Sequence, residues 1–230
     1  MKIVDFHSHI LPGADHGSDS IDVTLKQLAL AGERDFKRIV ATPHFYPHKH
    51  SIKSFLTRRT KAVDLLRESY SMGMPEICVG AEVLLCENID RLEGLNSLTI
   101  GGSNLLLLEL PGGALERSYY NTVYNLRSKG YSVVLAHVDR YNSDVIEELL
   151  NLDVILQINA YSLVSVFKRK RKIMEWISGG KVYALGSDIH KADKRAYKLF
   201  DSALKMLGDY AKLIEDKSDK LWQSFDITFS

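Results

Sequence analysis

Seven short runs rich in β-branched and aliphatic residues, each followed by a helix-length stretch or a long loop, set the strongest limit on this chain's fold. They cover residues 2–6, 38–41, 77–79, 105–108, 132–136, 154–158 and 182–185. Amphipathic segments over 21–34, 52–72, 115–129, 144–151, 163–178 and 194–207 separate most of them; in the first, Ile21, Leu25, Leu28 and Ala29 share one face. Strand and helix in alternation predict a parallel α/β fold, either open or closed into a barrel. Residues 93–104, with Gly94, Gly101 and Gly102, read as an excursion before the fourth strand.

No linker rich in Pro, Gly or Ser divides the 230 residues, so they are expected to form one domain over 1–230. With 45% hydrophobic and 26% charged residues, the chain is neither disordered nor fibrous. Thirty Lys and Arg against 29 Asp and Glu leave a net charge of +1, which gives no electrostatic case for nucleic acid. The longest apolar runs, such as 105–108, fall far short of the roughly 20 residues of a membrane helix. Asp5, His7 and His9 interrupt the start of the chain before a signal-peptide core could form, so a cytoplasmic location is expected. Two cysteines, Cys78 and Cys86, make no disulfide framework.

The eight histidines are not scattered. His7 and His9 follow the first predicted strand, His44 the second, His137 the fifth and His190 the seventh. Glu82, Glu109 and Asp188 follow the third, fourth and seventh. In a parallel barrel all these positions converge on the C-terminal face, where active sites are built. A lone His-x-His pair arises by chance and a lone carboxylate after a strand caps a helix, but eight such residues at strand ends point to a metal centre. Mixed imidazole and carboxylate ligation suits manganese, iron or zinc.

The block Asp5-Phe6-His7-Ser8-His9-Ile10-Leu11-Pro12-Gly13 resembles the opening motif of the PHP-domain metal-dependent bacterial protein-tyrosine phosphatases of the CpsB/CapC/YwqE type, which accompany capsule and exopolysaccharide systems. Further blocks follow in the same order. They are Ala41-Thr42-Pro43-His44, Gly80-Ala81-Glu82, Glu109-Leu110, Ala136-His137-Val138-Asp139-Arg140-Tyr141, Gln157-Ile158-Asn159-Ala160 and Ser187-Asp188-Ile189-His190.

The resemblance implies a distorted seven-stranded (β/α)7 TIM-like barrel with three divalent ions, manganese first and iron or zinc as alternatives. By position, His7, His9, Glu82 and Asp188 would hold one ion. Glu82 would bridge to a second, completed by Glu109 and His137. The third would rest on His16, His44 and His190. Position 16 departs from the family pattern of two aspartates before the glycine: the chain has Asp15-His16-Gly17, and Asp15 is the alternative ligand. Asp139 stands where glutamate is usual. Arg140 and Arg195 would contact phosphate through planar guanidinium forks. Metal-bound water and Asp139 are the candidates for a general acid.

The implied activity is phosphotyrosine hydrolysis by a metal-activated hydroxide, with a bacterial tyrosine kinase of capsule or exopolysaccharide synthesis as the substrate protein. The alternatives are a phosphoesterase acting on histidinol phosphate or a nucleotide, and a non-enzymatic kinase-binding regulator. A cysteine phosphatase needs Cys, five residues, then Arg; Cys86 reaches Arg91 after four, and Cys78 has none in reach. The basic run Lys168 to Lys172 reads as a solvated helix face, or else as a dock for an acidic phosphopeptide or a membrane surface. Phe45 and Tyr46 could face an aromatic substrate or pack in a lid. His48 and His50 are expected in an exposed loop, and Tyr119 and Tyr120 in packing.

Overall fold

The computed structural model describes residues 3–165 and 170–230. All seven predicted strands are present: β1 (Val4–Ser8), β2 (Arg38–Ala41), β4 (Glu76–Val79), β6 (Leu105–Glu109), β7 (Ser132–Leu135), β8 (Ile155–Asn159) and β9 (Val182–Gly186). Two short strands, β3 (His44–Phe45) and β5 (Glu82–Leu84), raise the count among the described residues to nine. The sheet is wholly parallel, in the order β3-β5-β6-β7-β8-β9-β1-β2-β4.

The two additional strands have a local cause. Pro43 lacks an N–H and stops the ladder after β2, and Gly80-Ala81 interrupts β4 at the matching place. Pairing then resumes in the same register: Ala41 faces Val79 before the break, and His44 faces Glu82 after it. Two candidate ligands thereby become direct neighbours across strands.

Helices α1 (Ile21–Gly32), α2 (Ile52–Ser69), α3 (Arg117–Ser128), α4 (Ser143–Leu150) and α7 (Lys194–Leu207) agree with the predicted segments within a few residues. Ser20, Ser51, Asn142 and Asp193 cap four of them, each accepting a backbone N–H from the first turn. Where the sequence predicts one helix over 163–178, the described residues form α5 (Ala160–Ser165) and α6 (Lys170–Ser178). A helix that the sequence pattern did not signal, α8 (Asp209–Trp222), closes the fold. Its buried positions are Ala211, Ile214, Ser218 and Trp222, a face too poor in large apolar residues to stand out.

Apolar side chains form two layers. One packs strand residues such as Ile39, Leu106 and Leu156 against the helices. The other gathers Val4, Phe6, Val40, Leu105, Leu107 and Val134 on the opposite face of the sheet, with Trp222 and Phe225 packed among them. Phe229 makes an antiparallel bridge with Ile77 and so covers the edge of β4.

Candidate metal centre

Strand alternation alone would misplace His7. Val4 and Phe6 belong to one apolar layer, while Asp5, between them, accepts hydrogen bonds from Ser187 and Tyr197 on the other side. A register shift between Asp5 and Ser8 breaks the alternation and brings the His7 ring to Gln157. Gly186 leaves the room this needs: a Cβ there would meet the His7 Cβ at 2.5 Å and the Gln157 Nε2 at 2.7 Å. At two other strand ends the backbone turns left-handed, with φ +33° at His137 and +52° at Asp188. Such conformations in non-glycine residues are held by their surroundings and collect at functional sites.

Glu82 is the hub. Its Oε2 lies 3.2 Å from His7 Nε2, 3.4 Å from His9 Nε2 and 2.8 Å from His44 Nδ1, while Oε1 lies 2.7 Å from His137 Nε2. Asp188 Oδ1 is 3.3 Å from His9 Nε2 and 3.7 Å from His7 Nε2. Glu109 sits at 3.8 Å from both His137 and His44. Four sets of mutually close donor atoms result among the described residues: His7, His9 and Asp188; His7, Glu82 and His137; His44, Glu82 and Glu109; His9, His44 and His190.

The far side of each imidazole decides whether these sets can take metal. His7 Nδ1–H donates to Gln157 Oε1 at 3.1 Å, and His9 Nδ1–H to Asp15 Oδ2 at 2.7 Å. His137 Nδ1–H donates to the Tyr141 hydroxyl, which itself donates to the Leu110 carbonyl. His190 Nδ1–H donates to the Asp188 carbonyl at 3.0 Å. With Nδ1 engaged outward, Nε2 of each ring is the nitrogen turned to the cluster, where a metal ion would take the place of a proton. Glu82 Oε2 and His44 Nδ1 are buried and close, yet neither has a hydrogen-bond partner. Lone pairs that converge without bonding one another fit cations between them. The residues present therefore suit divalent metal.

Electrostatics agree. Burial disfavours a charged Glu82, but His7, His137 and His44 outweigh it and hold the carboxyl well below the usual range. Burial likewise opposes a charged His9, yet Asp15, Asp188 and Glu82 raise it well above its ordinary value. His190 goes the other way: burial and the nearby charge of His9 lower it to about 4. Burial and the Glu82 charge push Glu109 up.

Not every predicted residue enters the four sets. The His16 ring is exposed, stacks on His44 at 4.6 Å and lies tilted against His190 at 4.8 Å; in the third set His9 stands beside His44 and His190 instead. Asp15 is in none of the four sets either. Its oxygens accept from His9 Nδ1, the His44 N–H and the Gly17 N–H, so it holds other residues in place. Asp139 accepts from Asn159 N and Ser162 Oγ at the β8–α5 junction. Arg140 pairs with Asp188, whereas the largely exposed Arg195 pairs with Asp193; with His190 both line a cavity of about 530 Å³.

The supporting residues went unassigned in the sequence. Gln157 accepts from the His137 N–H at 2.7 Å as well as from His7, and it donates to Asn159, which donates to Asp188. Their signal is two amides at alternate positions in an otherwise apolar strand. Phe45 is core, packed edge-on against Phe55, while Tyr46 stacks on His44. His48 is exposed and His50 half-buried, as are Tyr119 and Tyr120. Burial and neighbouring Asp226 push the Cys78 thiol up to about 12, which removes it from thiolate chemistry near neutral pH. Of the basic run, Lys168 and Arg169 lie outside the described residues; Arg171 pairs with Glu175, and Lys172 with Glu147 and Glu175.

Residues 3–222 match the family described as "Capsular polysaccharide synthesis, CpsB/CapC". The chain belongs to that family. CapC of Staphylococcus aureus is 30% identical to it over 209 residues, covering 86% of this chain and 80% of CapC. The tyrosine-protein phosphatase CpsB of Streptococcus pneumoniae is 26% identical over 212 residues, 84% of this chain and 85% of CpsB. The fold matches a crystal structure from the pair YwqE of Bacillus subtilis and CpsB of S. pneumoniae, described as unique metal-dependent tyrosine phosphatases. The TM-score is 0.74 at 20% identity, over 94% of this chain and 95% of that one.

Proposed function

We propose that this chain is a metal-dependent protein-tyrosine phosphatase built as one PHP-type domain over residues 1–230. Counting β2 with β3 and β4 with β5 as two interrupted strands makes the sheet a distorted seven-stranded (β/α)7 barrel, a reading supported by the unchanged register across both breaks. The observation that carries the function is a set of four imidazoles whose Nδ1 is engaged outward: Nε2 of His7, His9 and His137 faces Glu82, and His190 joins His9 and His44.

His7, His9, Glu82 and Asp188 would hold one divalent ion; Glu82, Glu109 and His137 a second. The third would rest on His44 and His190, with His9 beside them and His16 at the solvent edge. Divalent ions held there lower the pKa of water towards about 7 and attract phosphate oxygens. Arg140, at the edge of the cluster and already paired with Asp188, would turn its fork to the equatorial oxygens of the phosphate. Arg195 lines the same cavity and would contact the phosphate from the α7 side. The phenol of tyrosine, with a pKa near about 10, leaves without strong protonation, so no side chain need act as general acid.

The substrate would be a phosphotyrosine protein of a capsule or exopolysaccharide system, a cognate tyrosine kinase above all, in the cytoplasm. The CpsB/CapC membership and the names of the relatives support this reading. No helix among the described residues is long and apolar enough to cross a membrane. Phosphate release from phosphotyrosine, phosphoserine, histidinol phosphate and a nucleotide, each with manganese, with zinc and without metal, tests the assignment. Preference for phosphotyrosine with metal is expected. Preference for histidinol phosphate or the nucleotide would move the chain to the small-molecule phosphoesterases, and no turnover at all would favour a kinase-binding regulator.

A further inference from the structure

Beside the proposed third metal site, on the side of His16 and His44, opens a second cavity of about 400 Å³ lined by Tyr46, Lys49, His50 and Arg58. His44 stacks on Tyr46 at 5.1 Å, and Lys49 Nζ lies over the same Tyr46 ring at 4.7 Å. The ammonium is thus no further from the His44 ring than those two distances laid end to end. Two or three residues of extended peptide, at roughly 3.3 Å each, cover that span.

The charges here are not balanced. Among the described residues Lys49 and Arg58 have no ion-pair partner, whereas Arg67, about two and a half turns further along α2, pairs with Asp64. Arg58 donates to His50 Nε2 at 3.4 Å, and its Nε is buried without a hydrogen-bond partner. The carboxylate on the cavity wall, Asp15, has both oxygens taken by His9, His44 and Gly17. Two cations, an unsatisfied guanidinium N–H and no available carboxylate make a site short of one anion. A guanidinium fork and an ammonium suit either a carboxylate or a phosphate.

We propose that Lys49 and Arg58 form an anion subsite that binds an acidic side chain of the substrate two or three residues from the scissile phosphotyrosine. The inference rests on the phosphatase reading and adds a rule of substrate selection to it. An acidic neighbour would seat in this cavity while the phosphate lies at the metal centre beside His44.

The full chain, loaded with manganese, is compared on three peptides that carry phosphotyrosine and, two residues away, glutamine, glutamate or a second phosphotyrosine. Turnover and equilibrium binding are both measured, and phenyl phosphate serves as the substrate without a neighbour. Wild type is expected to favour the anionic peptides by about tenfold in KM, the effect of one charge-assisted contact. The relative effect of glutamate and phosphotyrosine tells carboxylate from phosphate recognition. Lys49→Ala with Arg58→Gln should erase the preference and leave phenyl phosphate hydrolysis unchanged; Lys49→Ala alone, at an exposed position, should reduce it. Equal KM for all three peptides in wild type, or a preference that survives the double change, would overturn the subsite. If none of the substrates is hydrolysed, the phosphatase reading fails, and the binding data still decide: a wild-type binding preference lost in the double variant supports the subsite, and any other pattern overturns it.

Discussion

The carboxylate of Asp15 accepts the Nδ1 proton of His9 at 2.7 Å, and the same oxygen accepts the His44 backbone N–H at 2.9 Å. One side chain therefore orients two candidate ligands, one just past β1 and one on β3. Burial alone would raise its pKa, but His9 and the backbone donors of His44 and Gly17 hold it far below the usual carboxylate range.

Asp15→Asn keeps the shape and removes the charge that fixes the His9 tautomer. Metal affinity should fall about 10- to 100-fold, as for other orienting carboxylates behind a histidine ligand. Metal titration of wild type and variant checks this. Unchanged affinity would mean that His9 needs no partner.

His16 occupies the edge of the cluster, stacked on His44 and tilted against His190. His16→Asp would bring a negative charge to a set made only of imidazoles, so occupancy and affinity of the third ion should rise while the pair around Glu82 stays as it is. Metal counting on wild type and variant checks it; identical third-site affinity would remove ligand charge as the controlling factor.

Much of this centre is legible in the sequence because strand ends converge in a parallel sheet. His7, His9, His44, Glu82, Glu109, His137, Asp188 and His190 can be picked out by their place after predicted strands, and the structure gathers them. The departures lie where spacing carries no information. The register shift in β1 depends on pairing with β2, so the sequence does not reveal that His7 and Asp5 part company. The nine-strand count depends on Pro43 and Gly80-Ala81 falling opposite each other, and α8 shows too thin an apolar face. From its neighbours in the chain Asp15 reads only as the alternative to His16 as a ligand; its tertiary contact with His9 cannot be read from the sequence.

Gly186 lies against His7 and Gln157. Gly186→Ala should destabilise the chain by about 1–3 kcal/mol through overpacking and lower metal affinity by displacing the His7 ring. Denaturant melts and metal titration measure the two effects. A variant that matches wild type in both would mean that β1 and β9 can separate freely there.

In metal-free protein, burial opposes charge on His7 and His9, but Glu82 and Asp188 raise His7, and Asp15, Asp188 and Glu82 raise His9. A raised histidine adds stability that is fully present below its ordinary 6.5 and is lost as pH climbs through the folded value. The metal-free chain should therefore lose stability above that pH. Metal replaces those protons, so affinity for manganese should increase over the same range. Melting midpoints with and without manganese at pH 6 and pH 9 test the sign. A metal-free chain that becomes more stable at the higher pH would contradict it.

Arg140→Lys keeps a positive charge and loses the fork. Phosphotyrosine turnover should drop by about tenfold or more with bound metal near wild type, and Arg140→Ala should be worse. Normal turnover in both variants would reduce Arg140 to the ion pair with Asp188.

The central claim is that the histidines and carboxylates around Glu82 hold the reactive metals. The most direct measurement follows bound metal and phosphotyrosine hydrolysis together, through removal by chelator and return of manganese. Activity should fall to background as metal leaves and recover as it returns, and His7→Ala and Asp188→Ala should lose both. Full hydrolysis by metal-stripped protein would contradict the account.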